Sequence, residues 1–140
     1  MGDRCYTEIV CRKSDYDATL HEYLPESEPL EPGVVQAWNC EANGGLLEER
    51  QAWAEAGIPF YGEHAPCVGA YEGAIFASDG KVHVDTLGVA GQPVARMNRN
   101  LEYEMVDDEE ARRYWNVFAR AEQLIHGKGK GAEADADHSS

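Results

Sequence analysis

The stretch from Gly57 to Thr86, GIPFYGEHAPCVGAYEGAIFASDGKVHVDT, restricts the fold more than any other part of the chain. Ile58 to Tyr61 and Tyr71 to Ser78 read as strands, and Lys81 to Thr86 alternates Val82, Val84 and Thr86 against Lys81, His83 and Asp85. Asp79-Gly80 stands between the last two runs and suits a two-residue hairpin turn, whose central residues need positive φ. An antiparallel hairpin is expected there, with Gly62 to Gly69 as the loop leading into it.

The flanking segments supply the rest of a sheet and its cover. Cys5 to Arg12 alternates as a strand, with Tyr6, Glu8, Val10 and Arg12 on one face. Ser14 reads as the N-cap of a helix whose first turn holds Asp15 and Asp17 and which Pro25 stops. PESEPLEPG, from Pro25 to Gly33, has no periodicity and is expected to be an exposed acidic loop. Val34 to Glu41 reads as a second strand, and Asn43 caps a second helix, from about Gly44 to Ala56, ended by Gly57 and Pro59. Its apolar stripe of Leu46, Leu47, Trp53 and Ala54 is interrupted by Arg50, read as a side chain whose stem packs and whose head pairs with an acid.

Beyond the hairpin, Gln92 to Met97 is expected to be a short strand, which Pro93 would put on an edge or at its first residue, and Leu101 to Met105 is extended. Asp107 with Glu110 forms a capping box, and Val106 staples to Ala111. Ala111, Tyr114, Trp115, Phe118, Ala121, Leu124 and Ile125 then make a broad apolar helix stripe that Gly127 ends. The expected fold is a single α+β domain over residues 1–127, a mainly antiparallel sheet of about five strands packed against two or three helices. Residues 128–140 lack any large apolar side chain and are expected to form a disordered tail.

At 140 residues and 43% hydrophobic composition the chain can bury one core without disulfides or metal. Charged residues break up residues 1–20, so neither a signal peptide nor a membrane span is read there, and a cytoplasmic location is expected. Cys5, Cys11, Cys40 and Cys67 form no C-x-x-C pair and are expected to be reduced, mostly buried thiols. The net charge of −14 is unevenly spread: residues 14–95 hold fourteen acids against Arg50 and Lys81 alone. Such a field repels a nucleic-acid backbone and attracts basic protein surfaces. A genome-wide bias toward acidic surfaces would produce the same count.

These residues admit four chemistries. Cys67 with His64 three residues away, and Glu72 or His83 to orient the imidazole, makes a thiol nucleophile conceivable, although surrounding carboxylates oppose a thiolate. His64, His83 and Asp85, with Glu63 and Cys67, are chemically fit for metal but lack a ligand pair at fixed offset. Asn43-Gly44-Gly45 before a helix matches neither nucleotide-binding glycine pattern, and no cofactor is called for. The leading expectation is a non-catalytic acidic protein that engages a basic or nucleic-acid-binding partner, as an inhibitor or nucleic-acid mimic. Phage- and plasmid-borne inhibitors offer an analogy of size and charge, with no motif match. Candidate binding residues are Glu22, Glu26, Glu28, Glu31, Glu48, Glu55 and Glu63 with Tyr61 and Tyr71. A small cysteine-dependent enzyme or ligand-binding protein centred on Cys67 and His64, and a metal-binding module, are the alternatives.

Overall fold

A computed structural model describes residues 4–65, 73–87, 94–97, 103–105 and 108–127. Its centre is one open antiparallel sheet of six strands, in the order β2-β3-β1-β4-β5-β6. These are β1 Arg4–Arg12, β2 Glu26–Glu31, β3 Val34–Asn43, β4 Pro59–His64, β5 Ala74–Asp79 and β6 His83–Leu87. A separate two-stranded ribbon pairs β7 Val94–Met97 with β8 Tyr103–Met105. Helices α1 Lys13–Ala18 and α2 Leu47–Glu55 lie on one side of the sheet, and α3 Asp108–Ile125 lies on the other.

Alternation along each strand sorts the core into these two layers. Ile9, Cys11, Val35, Ala37, Phe60 and Phe76 point toward α1 and α2, where they meet Leu20, Leu24, Leu46 and Trp53. Their sequence neighbours Val10, Val34, Tyr61, Ile75, Ala77 and Val84 point toward Tyr114, Val117, Ala121 and Ile125 of α3. Each fully buried valine or isoleucine in this second layer contributes about 2 kcal/mol of apolar burial. The sheet is therefore held from both faces, and the hairpin of residues 74–87 is its outer third.

Several local expectations are corrected. The Pro25–Gly33 segment is not a loop but carries β2, an edge strand exposed at every residue and paired with β3 from Glu26↔Trp38 to Glu31↔Val34. Pro29 is tolerated because an edge strand has one side free of the ladder. The first helix is only the six residues of α1, followed by a 3-10 turn at Leu20–Glu22, and its N-cap is Arg12 rather than Ser14. Asn43 ends β3 instead of capping α2, and the N-cap is Leu46 in the left-handed region at φ 63°.

The hairpin is present, but its turn is centred on Gly80-Lys81 rather than Asp79-Gly80, with the Asp79 N–H donating to the Val82 carbonyl at 3.2 Å. Ser78 pairs with His83, and the Asp79 carboxylate closes Gly80–Val82 by accepting from the N–H groups of Lys81 and Val82 at 2.9 and 2.8 Å. The shift from the expected register is an even number of residues, so the faces of β6 are unchanged. On α3, Val117 is buried, whereas Trp115 and Leu124 are 38% and 48% exposed. The capping pair involving Val106 and Asp107, the start of the Tyr71–Ser78 run and residues 128–140 lie outside the described residues.

Candidate protein-binding face

α3 crosses its side of the sheet obliquely. Its first half covers β5 and β6 through Tyr114 and Val117, and its last turn reaches β1 and β3 through Ala121 and Ile125. The corner left beside it is built on one rung of the ladder. Antiparallel partners project to the same side, so Glu26 of β2, Trp38 of β3, Glu8 of β1 and Glu63 of β4 stand in a row on the α3 side. Glu28 and Gln36 occupy the next rung, beside Val10.

Hydrogen bonds hold this row in place. Tyr6 Oη donates to Glu8 Oε1 at 3.0 Å, and Gln36 Nε2 donates to Glu8 Oε2 at 3.3 Å. Burial, the bond to Glu8, and the charges of Glu8, Cys40 and Glu63 push the Tyr6 hydroxyl up to about 12. The flank of α3 that faces β4 completes the corner. Phe118 sits 4.8 Å from the Tyr61 ring, and the exposed Trp115 packs edge-on to Phe118. Burial first, then the carboxylates of Glu122 and Glu31, raises Tyr61 to about 12. Burial and then Glu63 raise Tyr114 as well. The corner thus combines Glu8, Glu26, Glu63 and Glu122 with the aromatic surfaces of Tyr6, Trp38 and Trp115. Carboxylates pair with ammonium and guanidinium groups, and aromatic faces stack on them.

The opposite face carries a different constellation. Arg50 is 1% exposed, with its Cζ 3.9 Å above the Phe76 ring. Its Nε donates to the Gly45 carbonyl at 3.0 Å, and its Nη1 donates to Asp85 Oδ2 at 2.9 Å and to His83 Nε2 at 3.1 Å. Burial lowers the arginine pKa while Asp85 opposes that change, and the guanidinium keeps its charge. Because Arg50 can only donate, His83 Nε2 is an acceptor and the imidazole is neutral. Burial first and the Arg50 charge second hold its pKa at about 4. His64 points to the same side but packs against Gly45 and puts Nδ1 3.0 Å from the Ala65 carbonyl.

No protein-family model, curated protein or solved structure matches the chain.

Of the expected binding residues, Glu26, Glu28 and Glu63 gather in the corner. Tyr61 supports it from below, its hydroxyl 3.0 Å from His126 Nε2. Glu31 lies beside the same histidine, its Oε2 3.0 Å from Nδ1 but out of line for a hydrogen bond. Glu22, Glu48 and Glu55 are exposed on the far side, with the 3-10 turn and α2. Tyr71 lies outside the described residues, as do Cys67 and Glu72 of the thiol reading. His83 and Asp85 of the metal reading meet through the Arg50 guanidinium, and among the described residues no three His, Cys, Asp or Glu side chains form a metal site. Cys11 is buried and its thiol is pushed up to about 12, chiefly by burial, whereas Cys40 is exposed. Glu8, Trp38, Tyr6, Trp115 and Glu122 share this corner but are not among the expected binding residues. The alternation of residues 5–12 and 34–41 already placed Glu8 with Tyr6, but which strands pair is not written in either segment.

Proposed function

We propose that this protein is a non-catalytic binder of a basic protein surface, and that the corner of Glu8, Glu26, Glu63 and Trp38 is where the partner docks. The rung that sets two carboxylates on either side of Trp38 and a third on β4 carries this reading. A lysine or arginine entering there meets charge on two sides and an aromatic face, with Tyr6 and Gln36 already orienting Glu8. The charge balance of residues 14–95 supports the same partner class, because it steers basic surfaces inward and nucleic acid away. A nucleic-acid-binding protein has the basic surface this corner would occupy, and occupation would inhibit it. The unpaired thiols of Cys11 and Cys40 support a cytoplasmic setting, and no described helix is long and apolar enough to cross a membrane.

Binding to polylysine and to a panel of purified nucleic-acid-binding domains tests the reading. Affinity is expected to fall about tenfold or more between about 50 and about 300 mM NaCl. The triple variant Glu8→Gln, Glu26→Gln, Glu63→Gln and the single variant Trp38→Ala should each weaken it. Binding that ignores salt and both variants overturns the proposal.

A further inference from the structure

The two edges of the six-stranded sheet are built differently. β2 carries Glu26, Glu28, Pro29 and Glu31, the charges and proline by which edge strands avoid pairing with another chain. β6, with the sequence HVDTL, has neither proline nor lysine, and among the described residues it pairs with β5 alone. A groove of about 560 Å³ follows this edge. It is lined by four consecutive β6 residues, His83 to Thr86, so it takes in both faces of the strand rather than one. Leu47 and Gln51 of α2 form one wall, and Glu109, Glu110, Arg113 and Tyr114 of α3 form the other.

That shape is a slot between two helices with a strand edge as its floor. Asp85 is already paired with the Arg50 guanidinium, so the acidity lies on the α3 wall, where Glu109 and Glu110 stand against Arg113. Two of these carboxylates are oriented from within, Asp85 by the buried Arg50 and Glu110 by Thr86 Oγ1, which donates to it at 2.5 Å. We propose that β6 accepts an extended segment of the partner as a seventh strand, with basic side chains at alternate positions, all on the α3 side of the sheet, that reach Glu109 and Glu110. Backbone hydrogen bonds along His83–Thr86 would supply the register, and the flanking carboxylates would select lysine or arginine over acidic or apolar segments. This inference rests on the reading that the partner is a basic protein, and adds the form in which part of it binds.

The test is a titration of the full ¹⁵N-labelled chain with the capped peptide Lys-Val-Lys-Val-Lys-Val. A second peptide of the same charge, N-methylated at alternate residues, cannot donate to a ladder. The first peptide is expected to slow amide exchange at His83 and Asp85, whose N–H groups face away from β5, by about tenfold or more and the methylated one to leave it unchanged. Glu109→Gln with Glu110→Gln should weaken this protection, and Trp38→Ala should not. If both peptides shift only the Trp38 indole and its neighbours, the edge inference falls while the acidic-corner reading stands. If neither peptide perturbs any residue at low salt, both fall. Equal protection by the two peptides, or protection that appears without peptide as protein concentration rises, overturns strand addition in favour of charge screening or self-association.

Discussion

Arg50 is a cation sealed under α2, and its energetics are those of a buried charge with three acceptors. Truncating it leaves the Gly45 carbonyl and Asp85 without their donor and opens a cavity beside Phe76. Arg50→Ala is expected to cost about 3 kcal/mol or more in urea unfolding, and Arg50→Met less, because the stem's packing is kept. His83 adds a pH dependence of known sign. Its folded pKa, about 4, lies below the ordinary histidine value of 6.5, so the unfolded chain takes up the proton first. Stability contributed by neutral His83 is complete above about pH 6.5 and is lost as pH falls toward about 4. His83→Gln should flatten the upper part of that decline, above the range where carboxylates titrate, in unfolding measured from pH 7 to pH 5. The sequence shows Arg50 on an apolar stripe and its need for an acid. It does not show that the acid is Asp85, thirty-five positions away, because only strand pairing brings β6 under α2.

The element that joins the two halves of the molecule is the turn from Asp79 to His83. Asp79 accepts two backbone donors through Oδ1 and takes Arg120 Nε on Oδ2 at 2.7 Å, so the turn is tied to α3. Burial disfavours its charge, but Arg120 and the two N–H groups outweigh this and hold the carboxyl below the usual aspartate range. Asp79→Ala is expected to cost about 2 kcal/mol, and Asp79→Asn, which keeps an acceptor, about half as much. Gly80 sits at φ 84°, and a Cβ there would come within 2.8 Å of the Gly57 carbonyl oxygen at the end of α2. Gly80→Ala should therefore lose about 1–3 kcal/mol in equilibrium unfolding, more than an exposed glycine at ordinary φ would. The hairpin and the Gly57 stop are both legible in the sequence. The turn's position is not, because the Asp79 side chain, held by Arg120 and accepting from Lys81 and Val82, decides it. β2 escaped sequence reading for a related reason: three glutamates and two prolines within Glu26–Pro32 carry no strand periodicity, and only β3 makes them an edge.

At the scale of the whole molecule, the charge of −14 makes the folded state repel itself. Raising NaCl from about 10 to about 500 mM is expected to raise Tm by about 3 °C or more in calorimetry, in contrast to the weakening expected for the proposed basic-partner binding over the same change. Opposite salt responses of one protein separate its self-energy from its recognition. By itself the sequence determined the α+β class, the positions of β1, β3 and β6, the span of α3, the stop of α2 at Gly57, and an acidity concentrated between Asp15 and Asp85. These follow from local periodicity, caps and counts, which neighbouring residues carry in full. The tertiary structure alone decided the strand order, the three-layer arrangement, and which acids share a face. Glu8, Glu26 and Glu63 lie on separate strands and meet only through the pairing of β2, β3, β1 and β4, while Glu48 and Glu55, on α2, are carried to the other side. Such a juxtaposition has no signature in any one segment, because it is a property of the ladder and not of the strands that enter it.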